Sequence, residues 1–390
     1  MPLDPETRDQ LIAGIRRFVD DKLIPREAEV AETDAMPDDV VQGMRDMGLF
    51  GLSIPEEYGG LGLTTEEEVL VAFEIGRAAP AFRSMFATNV GIGSQGIAID
   101  GTPQQKAKYL PGLASGQIIG SFALTEPDVG SDAGSVRTTA RRDDDHYILN
   151  GTKRFITNAP HAGLFTVMAR TDAAKKAAAG VSAFVVEAGT PGLSIGKPEH
   201  KMGQQGAHVS DVIFQDCRVP ADALIGGAEG QGFKTAMKVL DKGRLSIAAA
   251  CTGLAGRIID DMLAYAVERR QFGRPIADFQ LIQAMIADSK TDELAARALT
   301  LDAARRRDAG EDVSTAAACA KMFASEMVGR AADRNVQVHG GNGYIREYRA
   351  EQLFRDARLY RIYEGTTQIQ QTIIARALIA GTRTRLGMAG

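Results

Sequence analysis

Hydrophobic positions along the chain change period twice. From residue 5 to about 118 they recur at helical spacing: in LIAGIRRFV, Leu11, Ile15, Phe18 and Val19 stand three and four apart and line one face. VVQGMRDMGLF and TPQQKAKYLPGLASG repeat the pattern, the second opening on a Thr-Pro helix start. From about 119 to 228 the period becomes strand-like. SVRTTARRDDDHYILNGTKRFITNA reads as strand, polar turn, strand, Asn-Gly turn, strand, and FTVMAR, SAFVVEAG and SDVIFQDCRV are further short runs bounded by Gly, Pro and Asp. Beyond 229, long amphipathic segments such as GLAGRIIDDMLAYAVERR and LIQAMIADSKTDELAARALTLDAARRR return with few breakers. The expected fold is α+β and multidomain, with an N-terminal α-helical domain over 1–118, a small antiparallel β-barrel or sandwich over 119–228, and a helical bundle over 229–390.

Composition narrows the function classes. A chain of 390 residues suits two or three packed domains. A net charge of −5 gives no general attraction to phosphate backbones or anionic lipid, so neither nucleic acid nor membrane is an expected partner. The three cysteines form no CxxC and the five histidines are scattered, so neither a disulfide framework nor a metal site is expected, and a reducing compartment fits. The acidic, polar start MPLDPETRDQLIAG reads as neither signal nor transit peptide, and no apolar stretch reaches the length needed to cross a bilayer. A cytoplasmic location is the expectation.

Several short strings carry candidate chemistry. GIGSQG at 91–96 satisfies GxGxxG, but it follows a helical region and opens no βαβ unit, so small residues for close helix packing are the better reading. ALTEPDVGSD at 123–132 is a turn by composition, in which Thr125 and Ser131 offer hydroxyls suited to a polar ring or an anion; RFITN at 154–158 offers another aromatic and hydroxyl. In LDKGR, Asp241 and Arg244 stand at i, i+3, the spacing of a helix-surface ion pair. In RIYEGTTQIQQ at 361–371, Glu364 precedes a glycine and a helical segment, with Thr367 and Gln370 at capping-box spacing. On its own it reads as a first-turn acid favoured by the helix dipole.

Taken in order, ALTEPDVGSD, NGTKRFITN, VERRQFGRPIADFQLIQ, QVHGGNGYIREY and YEGTTQIQ resemble the acyl-CoA dehydrogenase family, and the resemblance spans essentially the whole chain. It implies a C-terminal four-helix bundle and FAD bound between barrel and bundle in a homotetramer. Thr125, Ser131, Phe155, Ile156 and Thr157 match positions along the flavin. Arg269, Gln271, Phe272 and Gln280 resemble an arm reaching FAD across a subunit contact. Gln337, Gly340 and Gly341 resemble the turn near pyrophosphate and adenine, and Thr366 and Gln368 complete the cofactor site. Ser131, Asp241, Arg244 and Gly365 match positions contacting the acyl-CoA thioester. The resemblance makes Glu364 the base that removes the α-proton. Some members carry that base on a bundle helix, at the position of Gly243, where this chain has no carboxylate. The implied reaction is dehydrogenation to a trans-2-enoyl-CoA, with electrons passed to an electron-transfer flavoprotein.

Val129, Phe155 and Gln271 depart from the usual pattern, and GQQGAH at 203–208 lacks residues often seen there, which leaves CoA contacts from that loop open. FRSMFATN carries Arg83, and the stretch looks like that of glutaryl-CoA dehydrogenases, whose arginine holds a distal carboxylate. A surface arginine paired with an acid is the alternative. Rival activities are an acyl-CoA oxidase, a decarboxylating or desulfinating enzyme on the same scaffold, and a catalytically silent flavin or CoA-binding module.

Overall fold

The computed structural model describes residues 2–175 and 177–388. Helices α1 (Pro5–Phe18), α2 (Glu27–Thr33), α3 (Asp38–Asp46), α4 (Thr65–Ile75), α5 (Pro80–Thr88), α6 (Gln95–Asp100) and α7 (Pro103–Ala114) form the first region. Their starts follow local chemistry. The Asp4 side chain caps α1, while Thr64 with Glu67 and Thr102 with Gln105 form reciprocal capping boxes on α4 and α7. Ile15 and Val19 are fully buried, as their spacing predicts.

Seven strands follow: β1 (Gly120–Ala123), β2 (Thr139–Asp143), β3 (His146–Thr157), β4 (Leu164–Arg170), β5 (Val181–Glu187), β6 (Leu193–Ile195) and β7 (Val209–Pro220). They form one curled sheet in the order β1-β4-β2-β3-β7-β6, with β5 also on β4. Most pairings are antiparallel, but β1 and β2 each run parallel to β4, a feature alternation alone does not reveal. The Asn150-Gly151 pair is not a turn. β3 passes straight through it with a register shift against β7, and the hairpin turn lies at Asp144 and Asp145. Gly151 has φ 148°, and a Cβ there would lie 2.5 Å from Thr138 Oγ1, so the glycine permits a bulge.

The third region holds α8 (Gly232–Glu268), the short strands β8 (Arg270–Gln271) and β9 (Arg274–Pro275), then α9 (Gln280–Asp308), α10 (Ser314–His339), α11 (Arg349–Ala357) and α12 (Thr367–Arg385). α10 packs against α8, α9 and α12, and alanines such as Ala317, Ala320, Ala324 and Ala331 are fully buried between them. In GIGSQG it is Gly93 that serves close approach, against the sheet instead of a helix: a Cβ there would lie 2.6 Å from the Gly120 carbonyl oxygen. Among the described residues, no helix is long and apolar enough to cross a membrane.

Candidate active site

The three regions meet around a cavity of about 550 Å³, lined from α5, the ends of β1 and β3, α8, and the turn before α12. Each wall is held by local chemistry. Asn158 donates from Nδ2 to the carbonyls of Ser84 (2.9 Å) and Met85 (3.0 Å), fixing the end of β3 against α5. In the turn carrying Thr125, buried Glu126 accepts from Lys153 Nζ (2.8 Å) and from the backbone N–H groups of Arg137 (2.7 Å) and Thr138 (2.8 Å). Lys153 is itself fully buried and donates to the Leu124 carbonyl at 3.1 Å. Burial pushes the Lys153 pKa down to about 8, against the opposing charge of Glu126. Val129, a residue of this turn bridged to Glu126, is buried.

A register shift between Lys153 and Ile156 turns Phe155 outward at φ 58°. Its ring is 58% exposed and lines the cavity, with the Arg154 guanidinium 4.9 Å from the ring centre. The hydroxyl-bearing Thr125, Ser131 and Thr157 line the same space, so the donor set beside an exposed aromatic fits a flavin ring.

Opposite stands Glu364. It adopts φ 51°, and the next residue, Gly365, has φ 89°, giving two successive left-handed residues. Gln370 Nε2 donates to the carbonyls of Glu364 (3.2 Å) and Gly365 (3.1 Å), and Lys321 Nζ donates to the Gly365 carbonyl at 2.7 Å. The expected Thr367–Gln370 capping box does not form. The cap is one residue earlier, where Thr366 Oγ1 accepts from Ile369 N–H at 3.2 Å, while Thr367 Oγ1 donates to Glu326 at 2.7 Å. Gln370 is occupied by the turn instead.

Among the described residues, the buried Glu364 Oε2 has no hydrogen-bond partner. It lies where a Cβ on Gly243 would come within 2.1 Å. Burial pushes the Glu364 carboxyl above the usual carboxylate range, opposed by the charges of Arg83, Lys321 and Arg244.

Arg83 is not a surface residue. It is 7% exposed, donates from Nη2 to Ser246 Oγ at 2.8 Å, and keeps a buried Nε that has no partner among the described residues. It lines the main cavity and also a recess of about 30 Å³ behind it, which the Lys242–Glu68 ion pair (2.8 Å) borders. Asp241 and Arg244 do form the i, i+3 ion pair, but only Arg244 of the two lines the cavity.

Thr125, Ser131, Phe155, Ile156, Thr157, Arg83, Arg244, Glu364 and Gly365 therefore share one cavity. Gln271, Phe272 and Gln280 line a separate open cleft of about 710 Å³. Arg269, Gln337, Gly340, Gly341 and Gln368 are exposed outside the main cavity, and Thr366 is the helix cap. The 203–208 loop is engaged elsewhere: Gln204 donates to Asp356, and Gly206 N–H donates to Asp34 Oδ1 at 2.6 Å. Sequence reasoning missed Lys321, whose only signal is a lysine in the small-residue helix stretch AAACAKMFAS.

Comparison with known proteins agrees along the length of the chain. The family models Acyl-CoA dehydrogenase, N-terminal domain, middle domain and C-terminal domain match residues 5–117, 121–217 and 230–379. Acryloyl-CoA reductase (NADH) of Anaerotignum propionicum is 44% identical over 366 residues, 93% of this chain and 92% of that protein. A chain from a structure of the electron transferring flavoprotein of Acidaminococcus fermentans superposes with TM-score 0.93 at 39% identity, covering 97% of this chain and 99% of that one. Butyryl-CoA dehydrogenase of Megasphaera elsdenii superposes with TM-score 0.93 at 35% identity, again over 97% and 99%. With all three domain models matched in order, the chain belongs to the acyl-CoA dehydrogenase family, whose members are FAD-dependent oxidoreductases.

Proposed function

We propose that the protein dehydrogenates an acyl-CoA thioester between its α and β carbons, with Glu364 as the base. The observation that carries this is the orphaned Glu364 Oε2, buried beside the cavity that also holds Thr125, Phe155 and Thr157. FAD, when bound, supplies the acceptor for the β-hydride. Thr125, Phe155, Ile156 and Thr157 hold the flavin, and Ser131, Arg244 and Gly365 orient the thioester. Glu364 takes the α-proton at its carboxylate, and its dry setting raises its basicity toward working pH.

The exposed Phe272 (92%), Leu281 (80%) and Tyr344 (86%) belong to a subunit contact of a homotetramer. There Arg269, Gln271, Phe272, Gln280, Gln337, Gly340 and Gly341 serve a neighbouring subunit's FAD. Thr366 and Gln368 lie at the end of the cofactor site, and an electron-transfer flavoprotein takes the electrons in a cytoplasmic setting.

Arg83 narrows the substrate to a short dicarboxylyl-CoA such as glutaryl-CoA. Among the described residues its buried Nε has no partner, which leaves a donor free on a cation at the cavity wall. The recess behind it is small, about 30 Å³, which favours a short acyl group. The 44% identity to a protein named acryloyl-CoA reductase favours a second reading, in which the same site runs toward reduction of the enoyl thioester.

An anaerobic screen of acyl-CoA esters by flavin bleaching, with product identification, tests the assignment. Glu364→Gln is expected to keep FAD and bind acyl-CoA without reducing the flavin; reduction at the wild-type rate sinks the base. Flavin that no saturated ester bleaches, in an enzyme that consumes enoyl-CoA with NADH, favours the reductive reading. Release of carbon dioxide or sulfite identifies the decarboxylating or desulfinating alternative.

A further inference from the structure

Lys321 is a fully buried lysine about two turns into α10, and the dehydrogenation chemistry above does not use it. Burying an ammonium is costly unless it is paired or hydrogen-bonded. Its hydrogen bond here goes to a main-chain carbonyl: Nζ donates to Gly365 O at 2.7 Å. That carbonyl belongs to the second of two left-handed residues, and the first, Glu364 at φ 51°, is the residue in question. A non-glycine residue with this φ is costly and persists only where its surroundings over-determine it.

We propose that Lys321 is a positioning residue for the base, its ammonium clamping the Gly365 carbonyl so that the Glu364–Gly365 turn aims the Glu364 carboxylate into the cavity. This rests on the reading of Glu364 as the base. Gln370 braces the same turn from α12 through the carbonyls of both residues, so a donor from each of two helices meets at one place. Gln370 contributes geometry alone, whereas Lys321 adds a positive charge near the carboxylate.

The charged groups acting on Glu364 are Arg83 from α5, Arg244 from α8 and Lys321 from α10. Around Lys321 itself stand Cys251 and Arg244 from α8, and Glu326 from its own helix. Burial pushes the Cys251 thiol up to about 12, so it stays neutral and does not cancel the ammonium. Burial also lowers the Lys321 pKa to about 8, which leaves the ammonium charged at neutral pH. A positive charge near a carboxylate favours its ionised form, the form a base needs. Removing the charge therefore moves the rise of rate with pH to higher pH.

The test uses the FAD-loaded enzyme and an ester that bleaches its flavin, following reduction by stopped flow from pH 5.5 to 9. Lys321→Met is expected to keep FAD, to lower the plateau rate by roughly 10²-fold through misplacement of the base, and to shift the acid limb upward. Lys321→Gln retains an amide donor without the charge; it is expected to show the same limb shift with a smaller loss of plateau. Loss at every pH with an unmoved limb is what a merely structural lysine gives, and it overturns the proposal, as does a wild-type profile. If Lys321→Met fails to retain FAD, the limb of Lys321→Gln decides alone. Glu364→Gln is run beside them. Wild-type reduction there removes the base and with it anything for Lys321 to position. An inactive Glu364→Gln alongside an unshifted Lys321 limb overturns the positioning role and leaves the base standing.

Discussion

Gly243 and Glu364 compete for one space: a Cβ built on Gly243 would lie 2.1 Å from Glu364 Oε2. The glycine on α8 is therefore the socket for the acid that arrives from the turn before α12. Gly243→Ala is expected to keep the fold and FAD while slowing flavin reduction by roughly 10²-fold, because a displaced base loses its attack geometry. Rapid-reaction measurement at saturating acyl-CoA checks this. An unchanged rate means the carboxylate does its work from another position.

Arg83 touches both selectivity and protonation. Replacing it by methionine is expected to lower kcat/KM for a short dicarboxylyl-CoA by about 10- to 100-fold relative to butyryl-CoA, the scale of one charge-assisted hydrogen bond. Because its charge opposes the burial-driven rise of the Glu364 pKa, the acid limb for butyryl-CoA should also move to higher pH. Equal losses on both esters, with no movement of the limb, would count against either role.

Lys153 and Glu126 form a buried pair at the turn that carries Thr125, with Lys153 fully buried and Glu126 5% exposed. Lys153→Met strands the carboxylate without its cation and should cost about 3–5 kcal/mol. Thermal unfolding would show a lower Tm, and FAD content should fall because Thr125 shares the turn. A variant with unaltered Tm would refute this account of how the turn is held.

Asp356, buried against the 203–208 loop, has its pKa raised by burial to about 6 from 3.8. An acid raised in the folded state holds its proton there to higher pH than in the unfolded chain, so stability falls as pH rises between these values. The penalty above pH 6 is on the order of 3 kcal/mol. Asp356→Asn still accepts from the Gln204 N–H and should gain stability relative to the parent at pH 8 but not at pH 4. Denaturant melts at the two pH values decide it, and an equal effect at both would be the wrong outcome.

Much of the fold was legible because its signals are local. The Thr102-Pro103 helix start and the period changes near 119 and 229 each arise within a few residues. The misread places depend on remote partners. Asn150-Gly151 carries a hairpin signal, yet Thr138 passing beside Gly151 makes it a bulge. The Thr367–Gln370 spacing fits a cap, yet Gln370 turns back to the carbonyls of Glu364 and Gly365 and leaves Thr366 to cap the helix.

The sequence by itself determined the α, β, α order, the family resemblance, and the identity of Glu364 as the acid to examine. These depend on periodicity and on motifs contiguous in the chain. Only the tertiary structure decided that Gly243 vacates the space Glu364 fills, that Lys321 holds the turn beside it, and that Arg83 is buried at the same cavity. The reason is physical. Burial, orphaned polar atoms and the balance of charges on a carboxylate come from groups on α5, α8, α10 and the turn before α12, which become neighbours only once the helices pack.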